Sequence, residues 1–78
     1  MSRLTALTLD DRGFAFDPAT GTSYTLNPSG TVLLRGLREG LAGEVLADRL
    51  VETFAIARDR ALADAHAFTA ELAKLGLA

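Results

Sequence analysis

The chain has 78 residues, no cysteine and a formal net charge of −2, with eight Lys and Arg against ten Asp and Glu. A chain of this length forms at most one compact domain and buries only around 60% of its unfolded surface, which argues against a deep enclosed active site. Its basic residues are interspersed with acidic ones, which argues against nucleic acid as the main partner.

The composition favours a folded, soluble protein. Hydrophobic residues make up 49% of the chain and recur regularly, so we expect an aliphatic, alanine-rich core. Without cysteine there is neither a disulfide framework nor a thiolate ligand or nucleophile. Residues 1–7 lack the apolar run of a signal peptide, and no segment approaches the ~20 apolar residues that span a membrane. We therefore expect an unprocessed cytoplasmic protein.

Three short segments near the N-terminus alternate apolar and polar residues, which is typical of strands with one buried face. They cover residues 7–9, 14–16 and 24–26, and turn-forming residues at 10–13 and 17–21 separate them. The pattern predicts a three-stranded antiparallel meander in which Ala15 faces outward. The residues predicted to face inward are Leu7, Leu9, Phe14, Phe16, Tyr24 and Leu26.

Three helical segments follow the strands. Asn27 is a suitable N-cap and Pro28 suits the first helical position, so the first helix is predicted from Pro28 to about Arg38, with a break at residues 39–40. The second helix is predicted over about residues 42–53 and the third over about residues 59–75, with Gly76 as its C-cap. The apolar residues that define the second helix are Val45, Leu46, Leu50, Val51 and Phe54. The third helix is predicted to bury Leu62, Ala65, Phe68, Leu72 and Leu75.

Three strands followed by three helices define an α+β domain, in which the sheet must cover its apolar face with helices. A winged helix-turn-helix-like arrangement satisfies this requirement. We predict one such domain over residues 1–78.

The sequence offers little catalytic or metal-binding chemistry. His66 is the sole imidazole and lies between two alanines on the third helix, where a solvated or boundary histidine is the favoured interpretation. Asp59, Asp64 and Glu71 share that helix, but only residues three or four apart face each other, and no second histidine or cysteine completes a ligand set. No serine has an evident base partner, and the glycines form no phosphate-binding motif. We therefore predict a binding function with no catalytic residue, no metal and no cofactor.

The third strand is the candidate binding element. The first and third strands of a meander are edges, and residues 22–26 contain neither the proline nor the lysine that discourages pairing with another strand. An extended peptide could add there through main-chain hydrogen bonds and place alternate side chains in a pocket between sheet and helix. Alternatively, the protein's own third helix covers this edge, and periodicity does not distinguish the two arrangements.

Several spaced residues together resemble a known family. They occur in the order Tyr24-x-Leu26-Asn27-x-Ser29, Gly40, Glu44-Val45-Leu46-x-x-x-Leu50 and Asp64-Ala65-x-x-Phe68-x-x-x-Leu72-x-x-x-Gly76-Leu77. This series resembles the PqqD family over most of the chain, from about Leu7 to the end. Members of that family are small cytoplasmic peptide chaperones, also described as recognition elements for ribosomally synthesised and post-translationally modified peptides.

The resemblance implies that the chain binds the leader segment of a precursor peptide and presents it to a peptide-modifying enzyme. In the family the leader lies as an extra strand between the third strand and the third helix. Carried over to this chain, the strand contribution falls on Ser23, Tyr24, Thr25 and Leu26. The helix contribution falls on Arg60, Asp64, Ala65, Phe68 and Leu72. Leu26, Phe68 and Leu72 could equally be core residues, and Asp64 could be a solvated charge paired with Arg60.

Two other functions compete with peptide binding. A winged-helix regulator could place a helix in a DNA groove, although the scattered arginines give it poor electrostatics. A structural dimerisation domain could pair two copies through the free strand edge or through the alanine-rich helix face formed by Ala63, Ala67 and Ala70.

Overall fold

The computed structural model describes residues 4–77 and contains three strands followed by three helices. A short 3-10 helix, Leu4–Ala6, precedes β1 (Thr8–Leu9), β2 (Phe14–Asp17) and β3 (Thr22–Thr25). The helices are α1 (Pro28–Arg38), α2 (Glu44–Phe54) and α3 (Arg58–Lys74). The predicted α+β architecture is confirmed. Predictions that concern residues 1–3 and residue 78 lie outside the described residues.

The strands form an antiparallel sheet in the order β1-β2-β3, as the meander prediction requires. Ala15 is the central residue of its inner face, because it lies opposite Leu9 on β1 and opposite Tyr24 on β3. Residues that face each other across antiparallel strands project to the same side of the sheet. The inner face therefore carries Leu9, Ala15 and Tyr24 side by side.

The prediction for β2 was wrong about which face is buried. Phe14 and Phe16 are 50% and 43% exposed, whereas Ala15 is only 1% exposed. Alternation fixes which residues share a face, but it does not say which face meets the core. In this sheet the register determines which face of β2 is buried. Leu9 and Tyr24 face the core, and Ala15, which lies opposite both, therefore faces the core as well.

Asp17 is a buried carboxylate that organises the turn from β2 to β3. The side chain of Asp17 is buried, although the sequence analysis placed this residue in a loop. Its Oδ1 accepts a hydrogen bond from the Ala19 N–H at 3.0 Å, and its carbonyl accepts the N–H groups of Thr20 and Gly21. These bonds offset the cost of burying a polar group and hold β3 in register with β2.

The first helix begins and ends as predicted. Asn27 has extended backbone angles and its Oδ1 accepts the Gly30 N–H at 2.7 Å, while Pro28 occupies the first turn, where an N–H has no helical partner. At the other end Gly40 has φ +91°, and its N–H donates to the Leu37 carbonyl. The Leu41 N–H donates to the Gly36 carbonyl, which completes a Schellman motif.

The end of α3 corrects a second prediction. Gly76 has φ +74° and donates its N–H to the Ala73 carbonyl, while the Leu77 N–H donates to the Leu72 carbonyl. This Schellman motif turns the chain so that Leu77 is buried beside Leu72. Leu75, predicted to be buried, is 45% exposed at the C-cap of the helix.

Two adjoining clusters form the core. One lies between the sheet, α1 and the end of α3, and the other lies among the three helices. Phe68 packs against both clusters and so joins them. The first cluster contains Leu4, Leu7, Ala15, Leu34, Leu72 and Leu77, and the second contains Leu33, Leu46, Ala47, Leu50, Ala61 and Ala65.

The helix-helix contacts rely on small residues that the sequence analysis did not assign to the core. Ala47 and Ala61 have no exposed surface. A Cβ placed on Gly36 would lie 2.6 Å from Leu46 Cδ2, so the glycine allows α2 to approach α1 closely. On α2, Val45 and Phe54 are 49% and 37% exposed, so the buried stripe of this helix is narrower than predicted. Within residues 4–77, no helix combines the length and hydrophobicity needed to cross a bilayer.

Two glycines with positive φ provide a matched test of the sheet register. Gly13→Ala places a Cβ 2.7 Å from the Leu26 carbonyl oxygen, whereas Gly21→Ala meets nothing within 4 Å. We expect Gly21→Ala to cost about 1–2 kcal/mol through backbone strain alone. Gly13→Ala should cost a further ~1–3 kcal/mol because a backbone group must move. Urea unfolding of both variants measures the difference, and equal losses would contradict the close Gly13–Leu26 approach.

Candidate functional site

The outer edge of β3 is open in the described part of the chain. The Leu26 N–H donates to the Gly13 carbonyl at 2.7 Å, which marks Gly13 and Leu26 as a hydrogen-bonded pair. Such pairs alternate along an antiparallel ladder, so Tyr24 bonds to Ala15, and the main-chain groups of Ser23 and Thr25 point away from β2. No strand among residues 4–77 pairs with that side.

A cleft of about 280 Å³ lies beside this edge, between β3 and the second half of α3. Tyr24 and Leu26 form its sheet wall, and Phe68 and Leu72 form its helix wall. Its remaining lining residues are Leu7, Ala15, Thr25, Asn27, Gly30, Leu34, Glu71, Leu75 and Leu77. The cleft is therefore mainly apolar, with Tyr24, Thr25, Asn27 and Glu71 as its polar residues, a composition that suits side chains of an extended peptide.

A second, more polar groove continues from the cleft past the N-terminus of α1. It has a volume of about 440 Å³, and Asn27, Gly30, Phe68 and Glu71 line both spaces. Arg60 and Asp64 lie in this groove and form a loose ion pair at 3.8 Å, with Arg60 Nε facing Asp64 Oδ2. A pair this exposed contributes little to stability, so both side chains can exchange partners easily.

Gly30 lies on α1 at the point where the two grooves meet. A Cβ at this position would lie 3.0 Å from Asn27 Oδ1, which caps the helix, and 3.4 Å from Phe68 Cε1. The contact with the Phe68 ring would be an ordinary van der Waals contact, whereas the contact with the capping oxygen would be tight. The glycine therefore leaves room for the Asn27 cap at the edge of the cleft.

The structure brings together most of the residues predicted to bind peptide. Tyr24, Thr25, Leu26, Phe68 and Leu72 line the cleft, and Ser23 is exposed on the adjoining strand edge. Arg60 and Asp64 lie in the neighbouring groove.

Ala65 lies elsewhere. It is only 4% exposed, packs in the helical cluster and lines a small cavity of about 130 Å³ on the α2 side, together with His66.

The sequence analysis missed several cleft residues. Gly30 was not singled out within the first predicted helix, and Leu77 follows the last predicted helix. The signal for Leu77 was present, because a glycine after a helix indicates a Schellman motif that packs the next residue against the helix. Glu71 gave no such signal, since its distance from β3 depends on how α3 crosses the sheet.

Three exposed arginines outside the cleft and the polar groove are paired with acidic residues. Arg35 pairs with Asp11 at 2.7 Å, Arg49 pairs with Glu39 at 3.3 Å, and Arg58 pairs with Asp48. The carboxylate of Asp48 raises the pKa of the Arg58 guanidinium, mainly through the hydrogen bond between the two groups and further through its negative charge. The acidic partners offset the attraction of these arginines for phosphate, so the three arginines do not form the concentrated positive surface that DNA binding requires. Among residues 4–77, no three His, Cys, Asp or Glu side chains gather to hold a metal ion.

The fold of this chain has a counterpart among solved structures. The fold is similar to that of a solved structure described as "Lasso peptide synthetase B1 complexed with the leader peptide", with a TM-score of 0.75 and 22% sequence identity. The similarity covers 91% of this chain and 85% of the other. A comparison with curated protein sequences yields no significant match.

The family assignment comes from the sequence itself. Residues 12–78 match the family model described as "Coenzyme PQQ synthesis protein D (PqqD)". The chain therefore belongs to the PqqD family, as its spaced residues had indicated.

Amide hydrogen exchange tests whether the edge of β3 is open. The amides of Ser23 and Thr25 should exchange at least about tenfold faster than those of Tyr24 and Leu26, because only the latter donate to β2. The measurement is residue-resolved exchange on the isolated protein at several concentrations. Equal protection of all four amides at every concentration would show that something in the chain covers the edge. Protection that rises with concentration would indicate pairing of two copies.

Proposed function

We propose that this protein is a non-catalytic chaperone that binds the leader segment of a ribosomally made precursor peptide and presents it to a separate modifying enzyme. The leader adds as a strand to the free edge of β3. The observation that carries the proposal is the open edge beside an apolar cleft, with Ser23 and Thr25 directing main-chain groups toward an added strand. Membership in the PqqD family and the likeness to a leader-bound protein support it.

The edge of β3 and the side chains of the cleft contribute differently to recognition of the leader. Main-chain hydrogen bonds to Ser23 and Thr25 can form with a leader of any sequence in extended conformation, and each contributes about 0.5–1.5 kcal/mol. Discrimination comes from the side chains, because every second residue of the added strand faces the cleft. A leader with apolar residues at alternate positions fits between Tyr24 and Leu26 on one wall and Phe68 and Leu72 on the other.

The groove past the cleft adds a polar subsite to the same path. A leader residue that continues beyond the added strand meets Arg60, Asp64 and Glu71, of which two are acidic. The Arg60–Asp64 pair is loose, so a basic leader residue can replace the arginine as the partner of Asp64 at little cost. A short peptide thus contacts an apolar cleft first and a charged groove next.

This chain contributes the presentation of the leader to the enzyme and takes no part in catalysis. The sequence supplies no cysteine, and its one histidine lines a different cavity from the cleft. Holding a leader near an enzyme turns a bimolecular encounter into a nearly intramolecular one, with effective concentrations that can reach the millimolar range.

Substitution at Thr25 tests strand addition directly. Thr25→Pro removes the N–H that points outward and places a ring in the path of an added strand, yet it removes no bond to β2. Thr25→Val, the matched control, keeps the N–H and the β-branched shape. Isothermal titration with a synthetic leader segment of a ribosomal precursor peptide should show at least a ~tenfold loss of affinity for Thr25→Pro and little change for Thr25→Val.

The outcomes separate two explanations. Equal affinities for both Thr25 variants, with both proteins folded, would show that the leader binds without joining the sheet. Absence of binding by the unaltered protein, with a scrambled leader as reference, would contradict the proposed function as a whole.

A further inference from the structure

Leu75 is a large apolar residue that lines the cleft and stays accessible in the free protein. It is 45% exposed, whereas Leu72, about one turn earlier and also in the cleft lining, is 6% exposed. Within residues 4–77 the core clusters include Leu72 and not Leu75. A single exposed leucine is ordinary on a protein surface, but the surface of Leu75 is continuous with an apolar cleft. Leu75 therefore offers a bound peptide more apolar surface than Leu72 does.

The end of α3 places two nearby leucines in different environments. Leu75 is the C-cap residue, with φ −80° and ψ −4°, and its N–H donates to the Glu71 carbonyl at 3.1 Å. Gly76 follows at φ +74°, and the chain turns so that Leu77 is only 2% exposed. One leucine thus completes the core while the other remains at the open end of the cleft. Because hydrogen bonds fix the backbone of Leu75, covering its side chain orders little additional structure.

Leu75 lies at the end of the cleft that is farthest from the polar groove. Asp64, on the same helix, lines the polar groove, and Leu75 lies about 16 Å beyond it along the helix axis. Phe68 lines both spaces, is half-buried, and lies about 10 Å from Leu75 along the same axis. Two helical turns separate Phe68 from Leu75, so both face the same side of α3. The helix wall of the cleft therefore has an accessible apolar residue at each end.

The separation of Phe68 and Leu75 suits two successive inward-facing side chains of an added strand. Alternate residues of a strand lie about 7 Å apart, so a wall of about 10 Å takes two such side chains, whereas three would need about 14 Å. The volume of the cleft agrees with this number. An apolar cavity of about 150 Å³ holds a benzene molecule, and the cleft has a volume of about 280 Å³.

We propose that Leu75 is a specificity-determining residue that selects leaders with large apolar residues at two alternate positions, i and i+2. This inference rests on the proposed function and adds the second anchor of the leader. One anchor residue packs against Phe68, next to the polar groove, and the other covers Leu75 at the opposite end of the cleft. A polar residue at the second position loses water without gaining a hydrogen-bonding partner from Leu75, and a small residue leaves Leu75 exposed. Either change weakens binding.

Substitutions at position 75 separate leader binding from folding. Leu75→Ala removes the apolar surface, Leu75→Met keeps it, and Val45→Ala on α2 is the control, since Val45 is 49% exposed and lies outside the cleft. Isothermal titration with a synthetic leader segment of a ribosomal precursor peptide should show about a fivefold or greater loss of affinity for Leu75→Ala. Leu75→Met and Val45→Ala should stay within about twofold of the unaltered protein. The urea midpoints of all three variants should change little, because the substituted side chains are exposed.

An alanine scan of the same leader locates its two anchors through double-mutant cycles. At one leader position the alanine substitution should cost less affinity with Leu75→Ala than with the unaltered protein. The position that couples in this way to Phe68→Leu should lie two residues from it, because both anchors face the cleft.

Several results would overturn the proposal. They are unchanged affinity of Leu75→Ala, no leader position that couples to Leu75, coupled positions an odd number of residues apart, or a fall in the urea midpoint of Leu75→Ala that accounts for its loss of affinity. Absence of leader binding by the unaltered protein is a separate result, which defeats the proposed function together with this inference.

Discussion

The pairing of Gly13 with Leu26 is the constraint on which the rest of the structure depends. The Leu26 N–H donates to the Gly13 carbonyl at 2.7 Å, and only a residue without a Cβ can approach the Leu26 carbonyl so closely. This pair sets the register of β2 against β3, and the register decides both which side chains face the core and which main-chain groups face outward. A shift of one residue would bury Phe14 and Phe16 and would move the outward main-chain groups from Ser23 and Thr25 to Tyr24.

The cleft exists because the helices cannot close on the sheet completely. Ala15 and Gly30 are both small, so the inner face of the sheet and the start of α1 leave space that Phe68 and Leu72 only partly fill. The Schellman motif at the end of α3 then places Leu77 under the cleft, where it seals the core. An apolar space in a domain of this size lowers stability, since its walls lose packing contacts. A bound side chain would restore those contacts.

Much of the fold could be predicted from the sequence, and the errors share a cause. Capping residues such as Asn27 and Gly40 act locally, so the first helix was predicted with its correct bounds. The buried face of β2 depends on the neighbouring strands, and alternation within four residues carries no information about them. For the site, the strand residues followed from edge position and family spacing. Gly30 and Glu71 belong to the cleft through the packing of α1 and α3, which no local pattern specifies, whereas Gly76 did indicate the position of Leu77.

The most direct test of the account is a set of nuclear Overhauser effects between isotopically labelled protein and unlabelled leader. Strand addition predicts backbone-to-backbone contacts from the leader to Ser23 and Thr25, together with side-chain contacts to Phe68 and Leu72 from alternate leader residues. Saturable binding with contacts confined to the cavity between α2 and α3, or to the exposed rings of Phe14 and Phe16, would contradict strand addition at β3.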